Sequence, residues 1–254
     1  MSARTKTSPG RNRVLLIVMI VVAALVVALI AAELFVRNQV KSCMAQQFET
    51  QLGSQVDVGL AWKPVLLQSL DNKVPYVTID SDDSSFGPAR QMEVHARVDD
   101  IQIERTAESS GTIGSSEADI HWTTEGILAT LQEQTFGGLI SGVEADSNAG
   151  TLTFSVGPAG LAEMTVKPTA AGGTVNIDTT GAEILGFGLP TDLVDGIVQT
   201  LTDSLQTYPL GMAPTSVTVT DEAIDISLEG GSYTMPAQDP NQQQQVEGSC
   251  GVLV

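Results

Sequence analysis

The chain is short of what hydrolytic and metal chemistry is built from. It has two histidines, His95 and His121, which excludes a multi-histidine metal centre. No G-x-S-x-G, H-E-x-x-H, Walker loop or strand-linked G-x-G-x-x-G occurs in it. No serine stands in a nucleophile-like context, although a Ser-His-Asp arrangement is not excluded by sequence. Aromatic residues make up 4% of the chain. Cations are scarce as well: 12 Lys and Arg stand against 30 Asp and Glu. These absences call for no cofactor or metal, and they point to a binding protein rather than an enzyme.

The charge is also unevenly placed. Arg4, Lys6, Arg11 and Arg13 precede residue 33 and no acid does, so residues 33–254 carry −22. Such a surface repels nucleic acid and anionic head groups at long range, which excludes nucleic acid as a partner. An envelope protein with such a surface can hold lipid only through apolar burial and a few local cations, not through a basic patch.

What the chain does have is one long apolar run. Residues 14–32 are nineteen apolar residues without charge, Gly or Pro. At 1.5 Å per residue they span about 28 Å, close to the roughly 30 Å hydrocarbon core of a bilayer. The basic flank predicts a cytoplasmic N-terminus and an outward C-terminal domain. A cleaved signal peptide is the alternative, but its apolar region is usually shorter and ends at an A-x-A-like site. The predicted division is a basic cytoplasmic segment (1–13), a transmembrane anchor (14–32), an extracytoplasmic domain (33–236) and a polar Gln-rich tail (237–254).

Cys43 and Cys250 both fall on the outer side. An even count in an oxidising compartment predicts a bridge tying the stalk to the tail.

Val36, Val40, Met44, Phe48 and Leu52 recur every four residues, so the helix is expected to continue through 33–52 with one face packed on the domain. Residues 56–105 read as a meander of antiparallel strands, with turn residues at 80–90. Asp80, Asp82 and Asp83 are read as part of a turn rather than a cation site. Residues 109–119 read as a Ser/Gly-rich connection, 125–135 as a short helix capped by Thr123 or Thr124, and 136–142 as a flexible glycine-bearing stretch. Strands are expected at 151–156, 161–166, 174–178, 215–220 and 223–228. Leu193, Val194, Ile197, Val198, Leu201 and Leu205 give a second strong helix signal within 184–210, introduced by Leu189-Pro190-Thr191, capped near Thr191 or Asp192 and ended by Tyr208-Pro209. The class is α+β with an antiparallel sheet.

Residues 62–67 (WKPVLL) place Trp62 and Lys63 beside Leu66 and Leu67. A second loosened apolar stretch, 184–189, carries Leu185 and Phe187. With Phe86 and the helix positions Val194, Val198 and Leu201, they form a candidate lipid-lining set. Lys63, Lys73 and Arg90 are the candidate phosphate contacts.

Several segments together carry a resemblance. They are the anchor and stalk helix, Val56-Asp57-Val58, Pro64-Val65-Leu66-Leu67, Val77-Thr78-Ile79-Asp80 and Phe86-Gly87-Pro88. At the far end they are Leu189-Pro190, Tyr208-Pro209-Leu210-Gly211-Met212 and the hairpin strands with Val217, Val219, Ile224 and Ile226. In these the chain resembles the actinobacterial LmeA-like phospholipid-binding family over most of 33–236. The resemblance implies an elongated, tubular lipid-binding-like fold in which an antiparallel sheet wraps long amphipathic helices. It implies phospholipid binding in the cell envelope, and a role in lipoglycan (mannan) maturation or lipid transfer. It brings no catalytic residues. An envelope hydrolase or transferase, or a scaffold for wall-synthesis enzymes, are the alternative readings.

Overall fold

Alternation along the strands builds a two-faced sheet, and the helices roof its apolar side. A computed structural model describes residues 9–52, 55–81, 85–86, 89–184, 187–206 and 208–237. The elements in order are α1 (Pro9–Leu52), β1 (Val56–Leu60), α2 (Val65–Asp71), β2 (Lys73–Ser81), β3 (Ser85–Phe86), β4 (Ala89–Arg90), β5 (Met92–Gln102), β6 (Ser109–Ile113) and β7 (Ser115–Thr123). There follow α3 (Thr124–Gln132), β8 (Ile140–Asp146), β9 (Thr151–Val156), β10 (Ala162–Ala171), β11 (Thr174–Ile184), β12 (Phe187–Gly188), α4 (Thr191–Leu205), β13 (Ala213–Val219), β14 (Ala223–Gly230) and β15 (Tyr233–Pro236). The fold is α+β, and the described strand pairs are antiparallel.

The larger sheet runs β1-β2-β5-β7-β14-β13, with β6 and β15 paired at its margin. A second sheet runs β12-β11-β10-β9-β8. Register explains the faces of the larger sheet. Val58, Ile79, Ala96, Ala118 and Leu228 lie opposite one another across five strands. One residue along, Asp57, Asp80, His95, Asp119 and Ser227 form the corresponding rank on the other face. Strict alternation therefore puts aliphatics on one side and charges on the other.

The apolar face is roofed in two parts. Val40, Met44 and Ala45 of α1 pack on Val56, Val58, Leu60 and Val77 of β1 and β2. The other part joins Met92, Trp122, Ile224 and Ile226 to α3, α4 and the second sheet, through Ile127, Ile197, Leu201, Phe154 and Met164. Thr123 caps α3 by accepting from the Gly126 N–H. Gly126 has to be small: a Cβ there would lie 2.4 Å from the Arg90 carbonyl oxygen. Along α4, Leu193, Ile197, Leu201 and Leu205 are buried, whereas Asp195, Gln199 and Asp203 are exposed.

Four local expectations change. Residues 65–71 form a helix inside what reads as a strand meander; seven residues are too few for helical periodicity to register. The Ser/Gly-rich stretch 109–119 is mostly strand, because β6 and β7 borrow order from β15 and β5. The glycine-bearing stretch ends in β8, paired with β9. The strands form two main sheets rather than one. Asp82, Asp83, the side chain of Phe48, and the tail from residue 238 lie outside the description.

Candidate functional site

Burial along α1 begins where the apolar run ends. Side chains from 13 to 32 are exposed, and Glu33 is the first that is not. This helix is long and apolar enough to cross a membrane by length and composition. Beyond it, Glu33, Val36, Arg37 and Val40 turn one face to the domain, at the spacing of a helix stripe.

Two hydrogen bonds tie that stripe to the segment around α2. A Glu33 carboxylate oxygen (Oε1) accepts from the Val65 backbone N–H at 2.6 Å. Arg37 Nη2 donates to the Leu60 carbonyl at 2.5 Å. The segment is also braced internally. Buried Gln68 donates to the Lys63 carbonyl at 2.6 Å, and Lys63 pairs with Asp71. Asn72 closes α2 in the left-handed region (φ 54°) and turns the chain into β2; asparagine tolerates this better than most residues.

That turn brings Lys63 and Lys73 to one cavity of about 510 Å³. Its other charges are Asp71 and Asp100, and its apolar wall is Val74, Pro75, Ile101 and Ile113. The size falls in the usual range of small-molecule sites. The Lys63 ammonium holds the Asp71 carboxyl below its ordinary value of 3.8, with burial opposing it more weakly. The cavity thus carries one engaged cation and a second, Lys73, at its rim.

The remaining predicted site residues divide. Trp62 is 80% and Leu67 52% exposed. The segment that holds them borders the cavity through Lys63. Leu201 is 1% exposed and belongs to the core with Ile197, and Val194 and Val198 pack against the same core. The α4 face is therefore filled by protein side chains. Arg90 is paired with Glu133 at 2.8 Å, and its carbonyl accepts from Trp122 Nε1 at 2.9 Å, which places it beside α3. Leu66, Phe86 and Phe187 lie in α2, β3 and β12, with their side chains outside the description. Leu185 and Cys250 lie outside it altogether. Cys43 sits in the half-buried part of α1 and is not a free thiol.

Sequence reasoning missed Asp71, Val74, Pro75, Asp100, Ile101 and Ile113 as site members, because strand pairing and the turn after α2 bring them together.

The histidines lie on the polar face of the larger sheet. His95 Nδ1 is 2.9 Å from Asp80 and His121 Nδ1 is 2.6 Å from Asp225. Ser227 donates to Asp119 at 3.0 Å instead of to a histidine. No cluster of His, Cys, Asp and Glu suited to a metal ion occurs among the described residues.

The family model described as LmeA-like phospholipid-binding matches residues 27–229. Similar curated proteins include uncharacterized proteins of Mycobacterium bovis and of two strains of Mycobacterium tuberculosis. Each is 28% identical over 230 residues, covering 88% of this chain and 65% of its own length. The chain thus spans just under two thirds of the relatives it matches. No solved structure matches it.

Proposed function

Because the chain belongs to the LmeA-like phospholipid-binding family, we propose that it is a membrane-anchored, extracytoplasmic phospholipid-binding protein of the cell envelope. The carrying observation is that Lys63 and Lys73, two of the few cations in an acidic domain, meet at one cavity with an aliphatic wall. In this reading the lysines receive the phosphate, and Val74, Pro75, Ile101 and Ile113 receive the apolar part next to it. Each methylene withdrawn from water contributes about 0.8 kcal/mol, so no broad basic patch is required. The protein acts by solvating lipid, with no chemical step of its own.

Residues 14–32 serve as the anchor and 33–236 as the outward domain, an orientation supported by the four cations ahead of the span. A long sheet with one roofed apolar face is compatible with the tubular arrangement the family implies. Support of lipoglycan (mannan) maturation, or transfer of lipid between sites, is the family-level role we assign to the binding. The Cys43–Cys250 bridge belongs to the same proposal; non-reducing peptide mapping of protein from its native envelope should recover the two peptides joined.

Native mass spectrometry of the detergent-purified chain, with extraction of co-purifying lipid, tests the binding. Retention of one phospholipid class, lost in a Lys63→Glu/Lys73→Glu variant, is expected. Protein that carries no lipid and takes none up from mixed vesicles would refute the reading. A mature N-terminus near residue 33 would replace the anchor by a cleaved signal.

A further inference from the structure

An indole left 80% exposed is unusual for a domain with two tryptophans, the other of which, Trp122, is fully buried. Trp62 also lies between two ties to α1. Leu60, two residues before it, accepts from Arg37, and Val65, three residues after it, donates to Glu33. The depth of those ties follows from helix geometry.

The midpoint of 14–32 is residue 23. Glu33 is ten residues further on, about 15 Å along the axis, which is half the hydrocarbon thickness. Arg37 lies about 6 Å beyond it, within the head-group layer. A tilt of about 20° shortens both by less than a tenth. The segment is therefore held between the hydrocarbon boundary and the head-group layer, where tryptophan and snorkelling cations are favoured. Its neighbours suit that layer. Leu67 is 52% exposed, Leu34 and Phe35 on α1 are each 62% exposed, and the cations Arg37 and Lys63 flank the segment.

We propose that residues 62–67 are a second membrane contact: the turn into α2 and the first residues of that helix seat the domain on the outer leaflet of the bilayer α1 crosses, with Trp62 and Leu67 entering the interface. This rests on the anchor reading above. The segment carries Lys63, so seating it puts the mouth of the cavity at the leaflet surface. A lipid head group then reaches the lysines while its chains remain in the bilayer.

The test uses the full chain reconstituted in phosphatidylcholine–phosphatidylglycerol vesicles, with Trp62→Phe as its pair. Trp122 is buried, so the difference in emission between the two proteins reports Trp62. Spin-labelled lipids should quench most of that difference when the label is at the head group or high on the chain. They should quench little of it when the label is at the chain end. Iodide on both sides of the vesicle should quench little. Emission open to iodide and untouched by spin-labelled lipid, in protein that resists carbonate extraction, overturns the seating alone. Strongest quenching from the chain end overturns the interfacial depth. Release of the chain by carbonate overturns the anchor reading and the seating with it.

Discussion

Glu33 and Val65 are joined across 32 residues by one hydrogen bond, carboxylate to backbone N–H at 2.6 Å. Glu33 is the first acid of the chain and the first residue past the apolar run. The bond therefore fixes the α2 segment at a defined height on α1, and through Lys63 it fixes the cavity.

Removing the acceptor should loosen that segment. In Glu33→Ala a part-buried N–H loses its partner, at a cost of about 1–3 kcal/mol. The Val65 amide is expected to exchange faster with solvent deuterium, and amides in β7 and β14 to stay unchanged. Glu33→Gln keeps an acceptor and should restore most of the protection. Equal protection in all three proteins would mean the bond carries no weight.

Charge at the two lysines should matter for lipid, and the same change of net charge elsewhere should not. A charge-assisted hydrogen bond is worth about 1.5–3 kcal/mol, so Lys63→Glu or Lys73→Glu should each weaken phospholipid binding roughly tenfold or more. Lys167→Glu makes the same charge change at an exposed position of the second sheet and should leave affinity unchanged. Vesicle co-sedimentation at fixed ionic strength separates these outcomes.

In the proposed reading, Asp71 competes with lipid phosphate for Lys63. Asp71→Asn is expected to tighten binding, by up to about fivefold on the scale of exposed ion pairs. The pH dependence has a definite sign. The folded Asp71 carboxyl sits below 3.8, so its pairing contributes at pH above 3.8 and is lost as pH falls through the lower folded value. Carboxyl NMR should find Asp71 titrating below 3.8, and Lys63→Gln should return it toward that value.

Helix α4 and the α2 segment should respond in opposite ways to truncation. Ile197→Ala or Leu201→Ala empties packed core and should cost about 2–5 kcal/mol in urea unfolding. Leu67→Ala removes an exposed side chain and should change stability by no more than about 0.5 kcal/mol, while weakening the hold on vesicles. A large stability loss at Leu67 would show that this face of α2 is core after all.

How much was legible follows from the range of each signal. The apolar run at 14–32, the α1 stripe through Val40 and Met44, the α4 face and the β13–β14 hairpin all repeat over many residues or close locally, so composition and period find them. Helix α2 is seven residues long and its identity rests on Glu33, Gln68 and Asn72. Strand β6 is SSGTI, a poor strand by propensity, ordered by β15 from 120 residues away. Val194, Val198 and Leu201 read equally well as core or as lipid lining, because periodicity reports an apolar face without saying what covers it.

The sequence by itself determined that one helix is apolar enough to span a bilayer, that an acidic domain follows it, and that the domain alternates into an α+β sheet. These are properties of neighbouring residues, and the hydrophobic effect acts on them wherever the chain goes. Tertiary structure alone decided that the α4 face is filled, that Lys63 and Lys73 share a cavity with Ile101 and Ile113, and that Trp62 stands exposed beside the end of the span. Those outcomes depend on strand register and on two hydrogen bonds to α1. Both are settled only when segments far apart in the chain meet.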